Sequence, residues 1–250
     1  MRRFFIDKKQ AERAERFGTV EITGSDVNHI VNVLRMRTGD SILFSATDGR
    51  EFEAQITKTG PGEVTAEVKA IRLNATEPDV SVILIQGIPK GDKMELIIQK
   101  SVELGVCGIL PVITEHTVVK LSPEDAARKR IRWQRIAEEA AKQCGRGAVP
   151  EIFEPEVFRK AVAQRPDGEL KILAYENEEN NTLKKVLERA GGSYRGPVSL
   201  LIGPEGGFSA EEADLAAKCG FEPVSLGKRI LRTETAGIAA LAGIRYFFED

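Results

Sequence analysis

Hydrophobic and polar positions follow two different periods along this chain, and the change falls in the mid-seventies. In the first part Phe52, Ala54 and Ile56 alternate with polar neighbours, and so do Val64, Ala66, Val68 and Ala70. A period of two puts every second side chain on one face, so both runs predict half-buried strands. Asp48-Gly49 and Gly60-Pro61-Gly62 punctuate these runs as turns, the first being a hairpin signal. One helix interrupts the pattern, with Ser25 as its cap and Val27, Ile30, Val31 and Leu34 as its stripe. Residues 1–73 thus predict a small β-barrel-like module, and the patternless polar stretch 74–79 predicts a linker.

From residue 80 the texture is different. An apolar run at 80–85 precedes a helical stripe at Met94, Ile97, Ile98 and Ser101. Strand patterns at 109–113, 171–175, 198–202 and 223–226 then alternate with helical ones at 123–143, 182–190, 209–218 and 235–248. Strands alternating with helices predict a parallel sheet with helices on both faces, so 80–250 reads as one α/β domain. The last helix has almost no polar face and must be covered on all sides, by its own core or by a partner.

Composition narrows the class. Hydrophobic residues make up 42% and there are 23 glycines, the profile of a globular chain and not a disordered one. No apolar run approaches the roughly 18–20 residues that span a bilayer. The start reaches Asp7 too early to supply a signal-peptide core, so a cytoplasmic protein is expected. Cys107, Cys144 and Cys219 are far apart without a Cys-x-x-Cys pair, and His29 and His116 are the only histidines, so neither a disulfide framework nor a metal site is indicated.

The net charge of −2 says nothing about nucleic acid, but its distribution does. Residues 86–147 hold 11 basic and 8 acidic groups, whereas 148–223 hold 9 and 14. Arg2, Arg3, Arg35 and Arg37 flank the first module, and Lys90 and Lys93 bracket a Gly91-Asp92 turn. The run Arg128-Lys129-Arg130-Ile131-Arg132-Trp133-Gln134-Arg135 makes a positive helix face, either facing phosphate or simply solvated.

Two loops carry the candidate chemistry. Residues 198–202 run into Gly203-Pro204-Glu205-Gly206-Gly207-Phe208-Ser209, where Ser209 and Glu212 form a capping box for the next helix. Ligands bind at the carboxyl ends of parallel strands, and glycines let backbone amides approach them; a plain strand-to-helix turn fits the same residues. The second loop, 225–236, brings Arg232 and Glu234 to the same sheet edge, as site residues or as exposed helix-start charges. Neither loop is Gly-x-Gly-x-x-Gly, a P-loop or a Gly-x-Ser-x-Gly elbow.

Leu201-Ile-Gly-Pro-Glu-Gly-Gly-Phe-Ser209 and Leu226-Gly-Lys-Arg-Ile-Leu-Arg-Thr-Glu-Thr-Ala236 resemble the paired motifs of the RsmE family. These are SPOUT-class, S-adenosylmethionine-dependent enzymes that methylate N3 of a uridine in 16S rRNA. Similar family stretches are Val33-Leu-Arg-Met-Arg-Thr-Gly-Asp40, Lys90-Gly-Asp-Lys93 with 99–105, Arg132-Trp-Gln-Arg-Ile136 with Glu139, and Gln143-Cys-Gly-Arg146. The resemblance runs from Arg2 to the final helix. It implies an N-terminal PUA-like β-barrel and a C-terminal SPOUT α/β domain with a deep trefoil knot that holds the cofactor. It also implies a homodimer with the site near its interface, and 16S rRNA, within the small ribosomal subunit, as partner; the composition already predicts no membrane and no metal.

Mapped on this sequence, the cofactor contacts fall on Tyr175, Leu201, Ile202, Gly203, Leu226, Gly227, Ile230, Leu231 and Arg232. The catalytic candidates are Arg232, to stabilise charge on the uracil oxygens, and Glu205, to orient it or take the proton. The RNA contacts are Arg2, Arg3, Arg35, Arg37, Lys90, Lys93, Arg132, Arg135 and Arg146. Another RNA target, an RNA-binding module without catalysis, and a metabolic α/β enzyme are the competing classes.

Overall fold

In the computed structural model, which describes every residue except 47, 120 and 250, the chain divides into two units. The first comprises 1–77 and 141–149, the second 78–140 and 150–250.

The first unit holds β1 (Arg2–Ile6), α1 (Lys8–Phe17), β2 (Thr19–Thr23), α2 (Ser25–Asn28), a π-helical turn (His29–Val33), β3 (Ser41–Ala46), β4 (Arg50–Thr59) and β5 (Glu63–Leu73). Its five strands are ordered β1-β3-β4-β5-β2, with β1 parallel to β3 and the other pairs antiparallel. The order ends at β1 and β2, which do not pair among the described residues, so the sheet is open where a barrel is expected. Phe4, Phe44, Phe52, Ile56, Val64 and Ala66 build its core, as the period-two pattern requires. The alternation stops at Val68: Ala70 is exposed, with the rest of β5 to Leu73.

Two local departures have identifiable causes. Helix α1 lies in a charge-rich stretch and buries only Ala11 and Ala14, a stripe too small to stand out in the sequence, although Asp7 and Gln10 close a complete capping box. The helix expected at 25–34 changes into a π turn after Asn28, and Arg35 follows at φ 53°, a left-handed conformation that few non-glycine residues adopt.

A buried cluster of charges sits within this unit. Glu51, 3% exposed, accepts from Arg3, from Arg72 Nε at 2.9 Å and from Asn74 Nδ2 at 2.6 Å. Arg146 pairs with Glu77 at 2.6 Å, and the N–H groups of Gly147 and Ala148 donate to the same carboxylate. Burial pushes both carboxyls up, but these hydrogen bonds outweigh it and hold Glu51 and Glu77 below 4.5. A folded-state pKa below the unfolded one contributes stability above pH 4.5 that is lost as pH falls through the folded value. The melting temperature should therefore drop on going from pH 6 to pH 4, and drop less in Glu51→Gln, as read by thermal denaturation. An equal acid sensitivity of that variant would contradict the assignment.

The second unit holds β6 (Val82–Gly87), α3 (Lys93–Glu103), β7 (Gly108–Ile113), α4 (Pro123–Cys144, its last residues counted with the first unit), β8 (Glu151–Ile152), β9 (Glu156–Val157), α5 (Phe158–Ala163), β10 (Leu170–Ala174), α6 (Leu183–Ala190), β11 (Val198–Ile202), α7 (Ala210–Lys218), β12 (Glu222–Val224) and α8 (Thr233–Phe248). All seven strands are parallel, in the order β12-β10-β11-β6-β7-β8, with β9 also on β7. The sheet is the parallel one expected, and α3, α6 and α8 pack together while α5 packs on α7. Arg245 of α8 is 8% exposed and donates to the carbonyls of Val80, Leu104 and Gly105.

Candidate active site

Strands β10, β11 and β12 end side by side, and the loops that leave them enclose a cleft of about 560 Å³. Strand β11 lies between β6 and β10, although β10 precedes it in the chain, so the strand order reverses here. Such a switch point opens a crevice at the carboxyl ends of a parallel sheet.

Close backbone contact builds the glycine loop. A Cβ on Gly87 would lie 2.5 Å from Pro204 Cδ, and one on Gly203 would lie 3.1 Å from Gly207 Cα. Gly207 has φ +66°, which returns the loop toward α7. Ser209 and Glu212 form both legs of the expected capping box, and the other Glu212 oxygen accepts from Glu115 N–H at 2.9 Å. His116 Nδ1 bonds the Gly206 carbonyl at 2.7 Å. The two loops are joined from below: Thr233 Oγ1 donates to the Gly203 carbonyl at 2.6 Å, and buried Gln86 Nε2 donates to Thr233 Oγ1 at 2.9 Å.

Of the nine residues expected around a cofactor, Tyr175, Ile202, Gly203, Leu226, Gly227, Ile230, Leu231 and Arg232 line this cleft. Leu201 does not. It is fully buried and packs with Phe208 and Ala213 in the core on the other face, one residue out of phase with Ile202. Ser225, Thr233 and Ala236 of the second loop line the cleft too, as do Ala174 and Glu176, which have no signal beyond their place beside Tyr175.

Glu205 is held from α3. Its carboxylate accepts from Lys93 Nζ at 2.9 Å and from the Lys90 N–H at 3.2 Å. Burial pushes the carboxyl up, but the Lys93 and backbone hydrogen bonds outweigh it and keep Glu205 below 4.5. The same bond, with Glu234 adding and Arg232 opposing, raises Lys93 above 10.5. Glu205 thus anchors the glycine loop to Lys93 and to the backbone of Lys90. It does not orient Arg232: the exposed Arg232 guanidinium makes no hydrogen bond or ion pair among the described residues.

The basic residues divide sharply. Arg2, Arg35, Arg37, Lys90 and Arg135 are exposed, and their side chains have no partner among the described residues. Arg3 and Arg146 do not fit the RNA-contact role: their side chains are 13% and 5% exposed and hold Glu51 and Glu77. Lys93 belongs to the cleft, and Arg132 pairs with Glu95 at 2.5 Å. The 128–135 run is no continuous positive face either. Arg130 turns inward to the Ile152 carbonyl, Lys129 sits over the Trp133 ring, and Arg128 pairs with Asp125. Among the described residues no group of three or more His, Cys, Asp or Glu is arranged to hold a metal, and no helix is long and apolar enough to cross a membrane.

Two family models match the chain: an RNA methyltransferase domain over residues 76–245 and an RNA methyltransferase PUA domain over 22–69. The chain is 37% identical, over 98% of its length and 96% of the relative's, to the Ribosomal RNA small subunit methyltransferase E of Bacillus subtilis (strain 168). It is 34% identical to the protein of that name from Synechocystis sp., over 93% of this chain and 74% of that one. Among solved structures it resembles the Neisseria gonorrhoeae Ribosomal RNA small subunit methyltransferase E bound to S-adenosyl methionine, with TM-score 0.84 and 33% identity over 99% of this chain and 98% of that one.

Proposed function

The chain belongs to the RsmE family of RNA methyltransferases, and from that premise we propose that it methylates N3 of a specific uridine in 16S rRNA of the small ribosomal subunit, using S-adenosylmethionine. The observation that carries this reading is an unpaired arginine, Arg232, in a cleft built by two glycine-bearing loops at a strand-order reversal.

The cleft suits the cofactor. Its volume of about 560 Å³ lies within the roughly 300–1,000 Å³ of small-molecule sites. Ile202, Leu226, Leu231 and Ala236 supply apolar walls for a heterocycle, while Gly203 and Gly227 leave backbone groups open to a polar ligand. Bound there, S-adenosylmethionine supplies an electrophilic methyl group on a cationic sulfur. The protein's share is to stabilise the substrate's nucleophile: uracil N3 gives its proton to solvent water, and the charge left behind spreads onto O2 and O4. Arg232 offers a planar, permanently charged donor to one carbonyl oxygen of that anion, which leaves N3 open to the methyl. Glu205 fixes the glycine loop to α3 instead of taking the proton.

The same reading includes a trefoil-knotted second unit, a cytoplasmic location and a homodimer. For the dimer there is a further support in α8. Thr235, Ala239, Ala242 and Tyr246 recur at helical spacing and are exposed, Tyr246 at 91%, so one chain leaves uncovered a face that the sequence requires to be covered. Ala242→Glu should give a monomeric mass by light scattering at micromolar concentration and reduced methyl transfer. A dimer in that variant would remove α8 from the interface.

Transfer of labelled methyl to undermethylated small subunits, followed by nucleoside mass analysis, tests the activity. N3-methyluridine is the expected product. A methylated ribose or another base would replace the assignment, and no transfer would refute it.

A further inference from the structure

Two carboxylates flank Arg232: Glu205, which lines the same cleft, and Glu234, two residues along the chain. Either is a natural partner for a guanidinium, yet neither pairs with it. Lys93, the first residue of α3, takes both: its Nζ lies 2.9 Å from Glu205 Oε1 and 3.6 Å from Glu234 Oε2. Glu234 Oε2 is buried and accepts no hydrogen bond, and the carboxylate's one ion pair among the described residues is with Lys93. Lys93, Glu205 and Arg232 line one cleft, and the positive charge of Arg232 is felt at Lys93. The four charged groups balance to zero, but they are connected unequally, with one cation on two anions and the other cation on none.

We propose that Lys93 is a positioning residue that holds Arg232 unpaired by occupying both Glu205 and Glu234. Two anions beside one free guanidinium would otherwise capture it, because a bidentate arginine–carboxylate pair is favoured over an open one. The lysine side chain suits this role, since its ammonium is a compact charge on a flexible stem that reaches two carboxylates on different loops. This inference rests on the proposed role of Arg232, so its primary test uses no methyl transfer.

Phenylglyoxal modifies accessible guanidinium groups, and peptide mass analysis of the intact, folded chain gives the rate at Arg232. In Lys93→Met that rate should fall roughly twofold to fivefold, the range of a surface ion pair. It should return to the wild-type value in the triple variant Lys93→Met/Glu205→Gln/Glu234→Gln, where neither carboxylate remains to capture the arginine. An unchanged rate in Lys93→Met overturns the proposal, and so does a reduced rate that the triple variant does not restore. Circular dichroism of each variant separates capture from unfolding, and Lys93→Arg should behave like wild type. If Arg232 acts on uracil as proposed above, kcat falls in Lys93→Met by the same factor as the modification rate, with KM for S-adenosylmethionine unchanged. Loss of reactivity without loss of kcat would uphold the Lys93 inference and refute the catalytic role of Arg232.

Discussion

Replacing Arg232 by lysine should slow single-turnover methyl transfer by about 10²–10³, equivalent to about 3–4 kcal/mol, while cofactor affinity and melting temperature stay near wild type. The direction follows from geometry and not from charge, because lysine keeps the charge. Arg232 is the cap residue of α8, yet its side chain makes no capping hydrogen bond and holds no carboxylate among the described residues. Its removal therefore takes away little that stabilises the fold. What it supplies is a planar, directed donor beside a cleft, and a compact, strongly hydrated ammonium does not reproduce its aim at one carbonyl oxygen of a uracil anion with N3 left open to the methyl. Rates from quench experiments with excess enzyme, set beside calorimetric cofactor binding, decide the matter. Near-normal transfer by Arg232→Lys would reduce the residue to a loop element.

Gly203→Val should weaken S-adenosylmethionine binding by roughly 5- to 150-fold, the range of about 1–3 kcal/mol that overpacking costs. A Cβ at Gly203 would stand 3.1 Å from Gly207 Cα and 3.2 Å from the Phe208 ring. The branched γ carbons of valine force the loop outward, and Pro204 cannot yield because it is already tight against Gly87. Gly227 provides the contrast. Nothing lies within 4 Å of its Cβ position, but its φ of +118° strains any side chain, so Gly227→Ala acts through the backbone and not through crowding. Calorimetry on both folded variants distinguishes the two causes. Unchanged affinity in Gly203→Val would place the cofactor elsewhere.

The parts of this molecule legible in its sequence are those governed by local rules. Alternation in β4, the stripe of α3 and the capping box at Ser209 each depend on neighbours within a few residues, and each stands where it is expected. Both loops of the cleft are legible because glycine marks a close backbone approach at Gly203 and a positive φ at Gly227. What escapes the sequence is long-range. A strand buried on both faces shows no alternation, so nothing in the residues of β11 tells that Leu201 points into the core while Ile202 points to the cleft. Charge is visible in a sequence but its partner is not. Arg3 and Glu51 stand 48 residues apart, and Lys93 and Glu205 stand 112 apart. The grouping of 141–149 with residues 1–77 has no local signature either, since it rests on distant partners such as Glu77 with Arg146 and Thr76 with the Gly145 carbonyl.

Strand order also governs how the chain is made. Synthesis delivers β10 before β11, but β11 is the strand that joins β10 and β12 to β6. Until residue 202 has emerged, β10 has no edge of the growing sheet on which to pair, and the carbonyls of Val80, Leu104 and Gly105 must wait longer still, for Arg245. The first unit meets a shorter delay, for residues 141–149. A nascent chain stalled near residue 195 should therefore remain open to protease from β10 onward, and the cleft should form only once residues 202–236 have followed.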